Sequence, residues 1–422
     1  MRQISPSKSS LALAMAAAVA ILVGLTACDQ APAPTPTNTA APAADTDRAP
    51  AAPTAVDDTR FAPIEVAARE EIDAQHFPGA VVLVGHQGRV VYRQAFGQRC
   101  LEPQPQSMTE DTIFDLSSLT KVVATTTAIM QLSDSGLLNI DATVAKYWPE
   151  FAQNGKDCLT LRQLLTHTSG LRVEINPRAH WSNYQEAMEV IAADRLLRPP
   201  GTEFRYGDVN FIALGEVVRR VSGQRLDVYC AKKIFKPLGM RQTSFNPPKN
   251  WQARIAPCNV LNSRLRWGEV QDPISYRLGG VAGHSGIFSS ADDLAVFAQM
   301  LLNGGENRGR RILSSGAVAA ITKAQGISAG SIRRGLGWDM QSPFSKEFNA
   351  SFPAESFGHT GYTGTSIWIE PRSKTYLIIL TNRLHPSGRG QVKSLRAKIA
   401  AAVAAAVPMG PAAGVSDVGA KN

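Results

Sequence analysis

Apolar positions along the chain change period from helix to strand and back. Thr59 to Phe77 carries Phe61, Ile64, Ala68 and Ile72 at helical spacing, and Pro78-Gly79 closes the run, so an amphipathic helix is expected there. Two β-branched runs follow, Ala80-Val-Val-Leu-Val-Gly85 and Arg89-Val-Val-Tyr-Arg-Gln-Ala-Phe96, around His86-Gln87-Gly88. That arrangement predicts a hairpin. A second hairpin is expected where Thr365-Ser-Ile-Trp-Ile369 and Thr375-Tyr-Leu-Ile-Ile-Leu380 flank Glu370-Pro-Arg-Ser-Lys374, and a helix from about Gln391 to Val407 closes the pattern. Between the hairpins, roughly from 130 to 310, the periodicity is mostly helical. Thr160 and Gln163 have capping-box spacing at the head of Thr160–Thr166, and Asp293–Leu302 reads as another helix. Strands at both ends with helices between them predict an α/β fold of the α+β type. One antiparallel sheet is built from both chain ends, flanked by helices, with a mostly helical inserted subdomain.

The N-terminus sets an expected compartment. Arg2 and Lys8 precede an apolar run from Leu11 to Leu25 that is short for a membrane span and ends in small residues, as a secretory signal does. The run ends in Leu25-Thr26-Ala27-Cys28, which resembles the lipobox of bacterial lipoproteins and implies lipidation of Cys28. Residues 1–27 are then a signal peptide, and 28–58, rich in Ala, Pro and Thr, a disordered spacer too poor in apolar surface to fold. The body occupies 59–407, and 408–422 is a disordered tail. A periplasmic monomer tethered to a membrane by lipid is expected, with inner and outer membrane left open.

Composition narrows the classes. With 44% hydrophobic residues in 422, a large core is available. The formal charge of +9 is scattered, and no Lys/Arg stripe interleaves with aromatics, which argues against nucleic acid as a partner. Apart from Cys28, Cys100, Cys158, Cys230 and Cys258 lack metal-type spacing and are either free thiols or up to two disulfides. His76, His86, His180 and His385 are scattered without ligand spacing, and no His-Glu-x-x-His motif occurs. No metal and no cofactor are therefore expected. His167 suits a structural role, His284 either a structural or a pocket role, and Trp267 and Trp368 suit packing.

The candidate chemistry begins at Ser118-Leu-Thr-Lys121, at the head of an apolar run uninterrupted by Gly or Pro until Gly136. On a helix the hydroxyl and the amine share one face. An amine at that distance can take a serine proton, and a helix start offers free N–H groups to an oxyanion. By itself the pattern is common. Two further segments make it specific: Tyr206-Gly-Asp208-Val-Asn210 ahead of an apolar helix, and His359-Thr360-Gly361-Tyr362 in a Gly-rich strand region.

In this order the three motifs resemble those of the serine β-lactamase and penicillin-binding-protein superfamily, on the branch of class C β-lactamases, D-Ala-D-Ala carboxypeptidases and related esterases. Leu164–Leu171 and Gly279–Ser289 look familiar in the same branch. The resemblance implies Ser118 as acyl-enzyme nucleophile, Lys121 as its proton acceptor or electrostatic partner, and Tyr206 as proton shuttle. It further implies the N–H groups of Ser118 and Tyr362 as the oxyanion hole. His359, Thr360 and Gly361 would bind substrate, and the substrates implied are peptidoglycan peptides or β-lactams.

Two departures bear on this. Asp208 stands where Asn is commonest, and its charge should keep Lys121 protonated, leaving Asn210 as the nearest amide. His359 replaces the usual Lys, so carboxylate recognition needs another cation, for which Arg383 is the candidate. His-Thr-Gly favours a carboxypeptidase over an efficient β-lactamase. An esterase, a slow β-lactamase and an inactive penicillin- or peptidoglycan-binding module are the alternatives.

Overall fold

The computed structural model describes residues 59–261, 263–326 and 332–409. The expected signal peptide, the expected lipidation site Cys28, the spacer and most of the tail lie outside the described residues. Eight strands form one antiparallel sheet: β1 (Gly79–His86), β2 (Arg89–Cys100), β3 (Gln106–Ser107), β7 (Arg333–Arg334), β8 (Asp339–Gln341), β9 (Phe357–Thr360), β10 (Ser366–Glu370) and β11 (Thr375–Thr381). Their order is β7-β8-β9-β10-β11-β1-β2-β3, so the two chain ends meet at β11 and β1, with Val82 opposite Ile379. Three short strands, β4 (Phe114–Asp115), β5 (Ser244–Phe245) and β6 (Ile287–Ser289), make a second sheet in the order β4-β6-β5.

Period-two alternation divides the main sheet between two cores. Val82, Val84, Trp368, Leu377 and Ile379 face one way, onto α1 (Ala62–Asp73) and α7 (Lys393–Ala406) through Ile64, Ala68, Leu395, Ile399 and Val403. Val81, Leu83, Ile367, Ile369, Ile378 and Leu380 face the other way, joining Leu294, Phe297 and Leu301 of α6 (Ala291–Leu302) and the helical middle of the chain. Each Val, Leu, Ile or Phe side chain so buried contributes about 1.5–3 kcal/mol. Both expected hairpins, the first helix and the last are present, the helices shorter than their sequence patterns by a few residues at their ends. Thr160 caps α3 (Leu161–Leu165) with both halves of the capping box, and the Asn183 side chain caps α4 (Tyr184–Ala193). Trp368 stacks on Phe348 at 4.7 Å, a packing role. The four described cysteines are free thiols, with only Cys158 exposed.

One expectation needs correction. The segment carrying Ser118 and Lys121 is not the first turn of a regular α-helix. Ser117–Leu119 is a 3₁₀ turn and Lys121–Thr126 a π-helical stretch, followed by α2 (Thr127–Asp134). Side-chain bonds accompany the widened turn: the Thr127 hydroxyl donates to the Val122 carbonyl, and the Thr125 hydroxyl donates across to the Gly283 carbonyl. Among the described residues, no helix is long and apolar enough to cross a membrane.

Candidate active site

Three elements meet at Ser118. The widened turn presents Ser118 and Lys121, the start of α5 (Asp208–Ser222) brings Asp208 with Tyr206 just ahead of it, and the end of β9 brings His359 and Thr360. The turn after β9 is fastened to the Ser118 segment. Thr363 donates to the Asp115 carbonyl at 2.7 Å and Thr365 to the Leu116 carbonyl at 3.1 Å. Gly361 is needed here, because a Cβ would lie 2.5 Å from the Leu116 oxygen.

Lys121 is fully buried, and its ammonium donates to Ser118 Oγ at 2.9 Å and to the His284 carbonyl at 3.1 Å. Its Nζ also lies 2.8 Å from Asp208 Oδ1. Burial alone would push this amine down, but Asp208 and Tyr206 outweigh it and hold Lys121 above its ordinary value. The expectation that Asp208 keeps Lys121 protonated therefore has a geometric basis. Asp208→Asn should remove the strongest upward influence on the amine, so it titrates lower. Where the reaction needs an ammonium at 121, the alkaline limb of the acylation-rate profile moves down by about one to three pH units. A gain in rate at neutral pH would instead make Lys121 the base.

Behind Lys121, the His284 ring meets Asp272 at 2.9 Å. Burial would raise Asp272, but His284 and the Ser275 N–H outweigh it and hold the carboxyl down at about 2. Asp208, Asp272 and His284 bring potential ligand atoms within 4.8 Å of one another. The Lys121 ammonium already supplies positive charge to that cluster, which favours an ion-pair network over a metal centre. His284 is thus buried behind the site rather than in the pocket wall.

The Tyr206 ring packs 4.4 Å from the buried His167, 5.1 Å from Phe344 and 6.0 Å from His359, centroid to centroid. His167 takes the Gly207 N–H on Nδ1 at 3.2 Å. It therefore sets the loop that aims Tyr206, a role its apolar sequence context did not signal. Asn210 faces the same histidine and donates to the Gly207 carbonyl at 3.0 Å. Pointed that way, it supplies no amide to the pocket, contrary to expectation.

Ser118 and Tyr206 open on a cavity of about 480 Å³ whose other walls include Arg334, Phe344, His359, Thr360, Arg383 and Arg396. His359 is not the partly charged group expected from its residue type. Burial, then Arg334 and Lys121, push its imidazole well below the usual range, and its Nδ1–H donates to the Thr360 carbonyl at 2.9 Å. Arg383 does reach the cavity, but its Nε and Nη1 donate to the Tyr362 and Gly390 carbonyls, both at 2.6 Å. Two arginines that no sequence motif marked share the wall. Arg334 is 1% exposed and pairs with Asp339 at 3.4 Å. Arg396, on α7, is 7% exposed, donates to the Thr365 carbonyl at 2.8 Å and is pushed down to about 10 by burial. Among the described residues, the Nε of each lacks a hydrogen-bond partner. The Tyr362 N–H, expected to help form the oxyanion hole, donates to Ser117 Oγ at 3.2 Å.

A two-sided antiparallel sheet with Ser-x-x-Lys, Tyr and His-Thr-Gly converging at one cavity defines the serine-hydrolase scaffold of penicillin-binding proteins. The chain belongs to the Beta-lactamase family, which it matches over residues 64–402. A relative from Escherichia coli (strain K12) named "Putative D-alanyl-D-alanine carboxypeptidase" is 31% identical over 346 residues, 73% of this chain and 79% of its own. The N-acetylmuramyl-L-alanine amidase of Bacillus subtilis (strain 168) is 31% identical over 349 residues, 74% of this chain and 78% of its own. Among solved structures, a penicillin-binding protein homologue from Caulobacter crescentus superposes with a TM-score of 0.67 at 25% identity, covering 82% of this chain and 97% of that one.

Proposed function

We propose that this chain is an exported serine hydrolase that cleaves peptide bonds of peptidoglycan through an acyl-enzyme, with release of a terminal D-Ala as its reaction. Ser118 attacks the carbonyl carbon while Tyr206 relays the hydroxyl proton to the departing nitrogen. The Lys121 ammonium stabilises the charge that develops on Ser118 Oγ. Water then attacks the ester and frees Ser118. The observation that carries the reading is the cationic wall: with His359 neutral and Arg334 offset by its pairing with Asp339, Arg396 supplies the charge that a substrate carboxylate needs. Arg396 lies in the first turn of a 14-residue helix that has no side-chain cap, so peptide N–H groups reinforce it.

The amidase relative favours a second reading, in which the same serine cuts the bond between muramic acid and L-Ala. Both reactions expel an amine that belongs to a carboxylate-bearing amino acid or peptide, so the cationic wall suits either. Mass analysis after incubation with a muramyl pentapeptide separates them. Loss of one alanine supports the first reading, and release of the intact peptide replaces it with the second. Turnover of a short-chain ester with the pentapeptide untouched sinks both.

Arg396→Gln should lower kcat/KM on the pentapeptide by about ten- to a hundredfold, the worth of one charge-assisted hydrogen bond, and leave a neutral ester within about twofold. Equal losses on both substrates would point to a folding defect. The lipobox-like Leu25–Cys28 supports tethering at a bacterial membrane. Cys28→Ser should move the protein from the membrane fraction to the soluble fraction.

A further inference from the structure

Ser117, the residue before the nucleophile, occupies a backbone conformation that serine rarely adopts, with φ at +49°. Several contacts fix it there. Asp115 accepts the Ser117 N–H on Oδ1 at 2.8 Å and the Gln271 N–H on Oδ2 at 2.7 Å, which ties the turn to the wall behind it. The Ser117 carbonyl accepts from the Thr120 N–H. The side chain, 5% exposed, is thereby directed at the Tyr362 N–H, the donor expected opposite the Ser118 N–H in the oxyanion hole, and accepts from it at 3.2 Å. Tyr362 is held from the other side too, its carbonyl accepting from Arg383.

We propose that Ser117 is a positioning residue for acylation: its hydroxyl engages the Tyr362 N–H in the resting enzyme and must turn away before a substrate oxygen is bound there. A backbone N–H carries one hydrogen and cannot serve Ser117 Oγ and a developing oxyanion at full strength together. In the free enzyme the hydroxyl satisfies the Tyr362 N–H. On substrate binding one N–H···O contact is exchanged for another, with no covalent change. The Ser117 hydroxyl thus competes with the substrate for the hole. A purely structural clasp between the two loops would have the opposite consequence, since cutting a clasp disorders the hole and slows acylation.

The sign of one rate change decides between them. The proposal rests on Ser118 as the nucleophile, so the probe is a rhodamine-tagged fluorophosphonate, whose P=O oxygen enters the hole whatever the natural leaving group is. Labelling rates of the full chain are compared with those of Ser117→Gly, which accepts a positive φ without strain, and Ser117→Ala. Unfolding midpoints are measured alongside. Labelling about two- to tenfold faster in at least one variant is the expected result, matching the net worth of one neutral hydrogen bond. Unchanged or slower labelling in both overturns the proposal and leaves the nucleophile assignment intact. A parent chain whose labelling survives Ser118→Ala, or that is not labelled at all, removes the nucleophile assignment and the Ser117 proposal with it.

Discussion

Ser118→Ala is expected to abolish covalent labelling by a fluorescent penicillin and to lower kcat on the true substrate by roughly 10⁴- to 10⁶-fold, the scale of losing a serine nucleophile. The size follows from the site's construction. Lys121 and Tyr206 act on a bond made or broken at Ser118 Oγ, so without that atom they have nothing to stabilise. The fold should survive the change. Lys121 keeps Asp208 at 2.8 Å and the His284 carbonyl at 3.1 Å as partners, and the turn keeps its Thr363 and Thr365 fastenings. An unchanged unfolding midpoint together with lost labelling is therefore the expected pair of results. Persistent labelling would put the nucleophile elsewhere, with the Ser117 hydroxyl the nearest candidate along the chain.

What could be read along the chain and what could not divide by sequence range. Ser118 and Lys121 are three residues apart, so the sequence shows their pairing directly, and the structure closes it at 2.9 Å. The β1–β2 and β10–β11 hairpins were legible because each carries β-branched apolar runs around a turn of its own. Strands β7 and β8, two and three residues long, were not, since runs that short have no measurable period. Arg334 and Arg396 are 62 positions apart and enter one cavity from a strand and from the last helix. No local pattern marks either. The neutrality of His359 was illegible for a related reason. Its residue type suggests partial charge near neutral pH, and only the assembled fold surrounds it with burial, Arg334 and Lys121. Asp208 shows the opposite case: a carboxylate two residues after Tyr206 could be foreseen to pair with Lys121, because the family resemblance already brought those two motifs together.

Which group takes the Ser118 proton is decided by Tyr206→Phe. Asp208 holds Lys121 as an ammonium, and an amine that keeps its proton cannot accept another. The relay then falls to the Tyr206 hydroxyl, whose removal should lower kcat by about 10²- to 10⁴-fold, the usual worth of general acid–base catalysis. KM should change little, because the phenylalanine ring keeps the contacts now made with His167 at 4.4 Å and Phe344 at 5.1 Å. Those contacts also predict a nearly unchanged unfolding midpoint, so a rate loss would be chemical in origin. A further consequence separates the two steps. An activated ester, whose leaving group needs no proton, should be acylated with a smaller loss than an amide, whose nitrogen must be protonated to depart. Equal losses on ester and amide would mean that Tyr206 acts only on the Ser118 proton. A loss below tenfold on the amide would return the role of base to Lys121, and Asp208 would then have to release its hold on the ammonium when substrate binds.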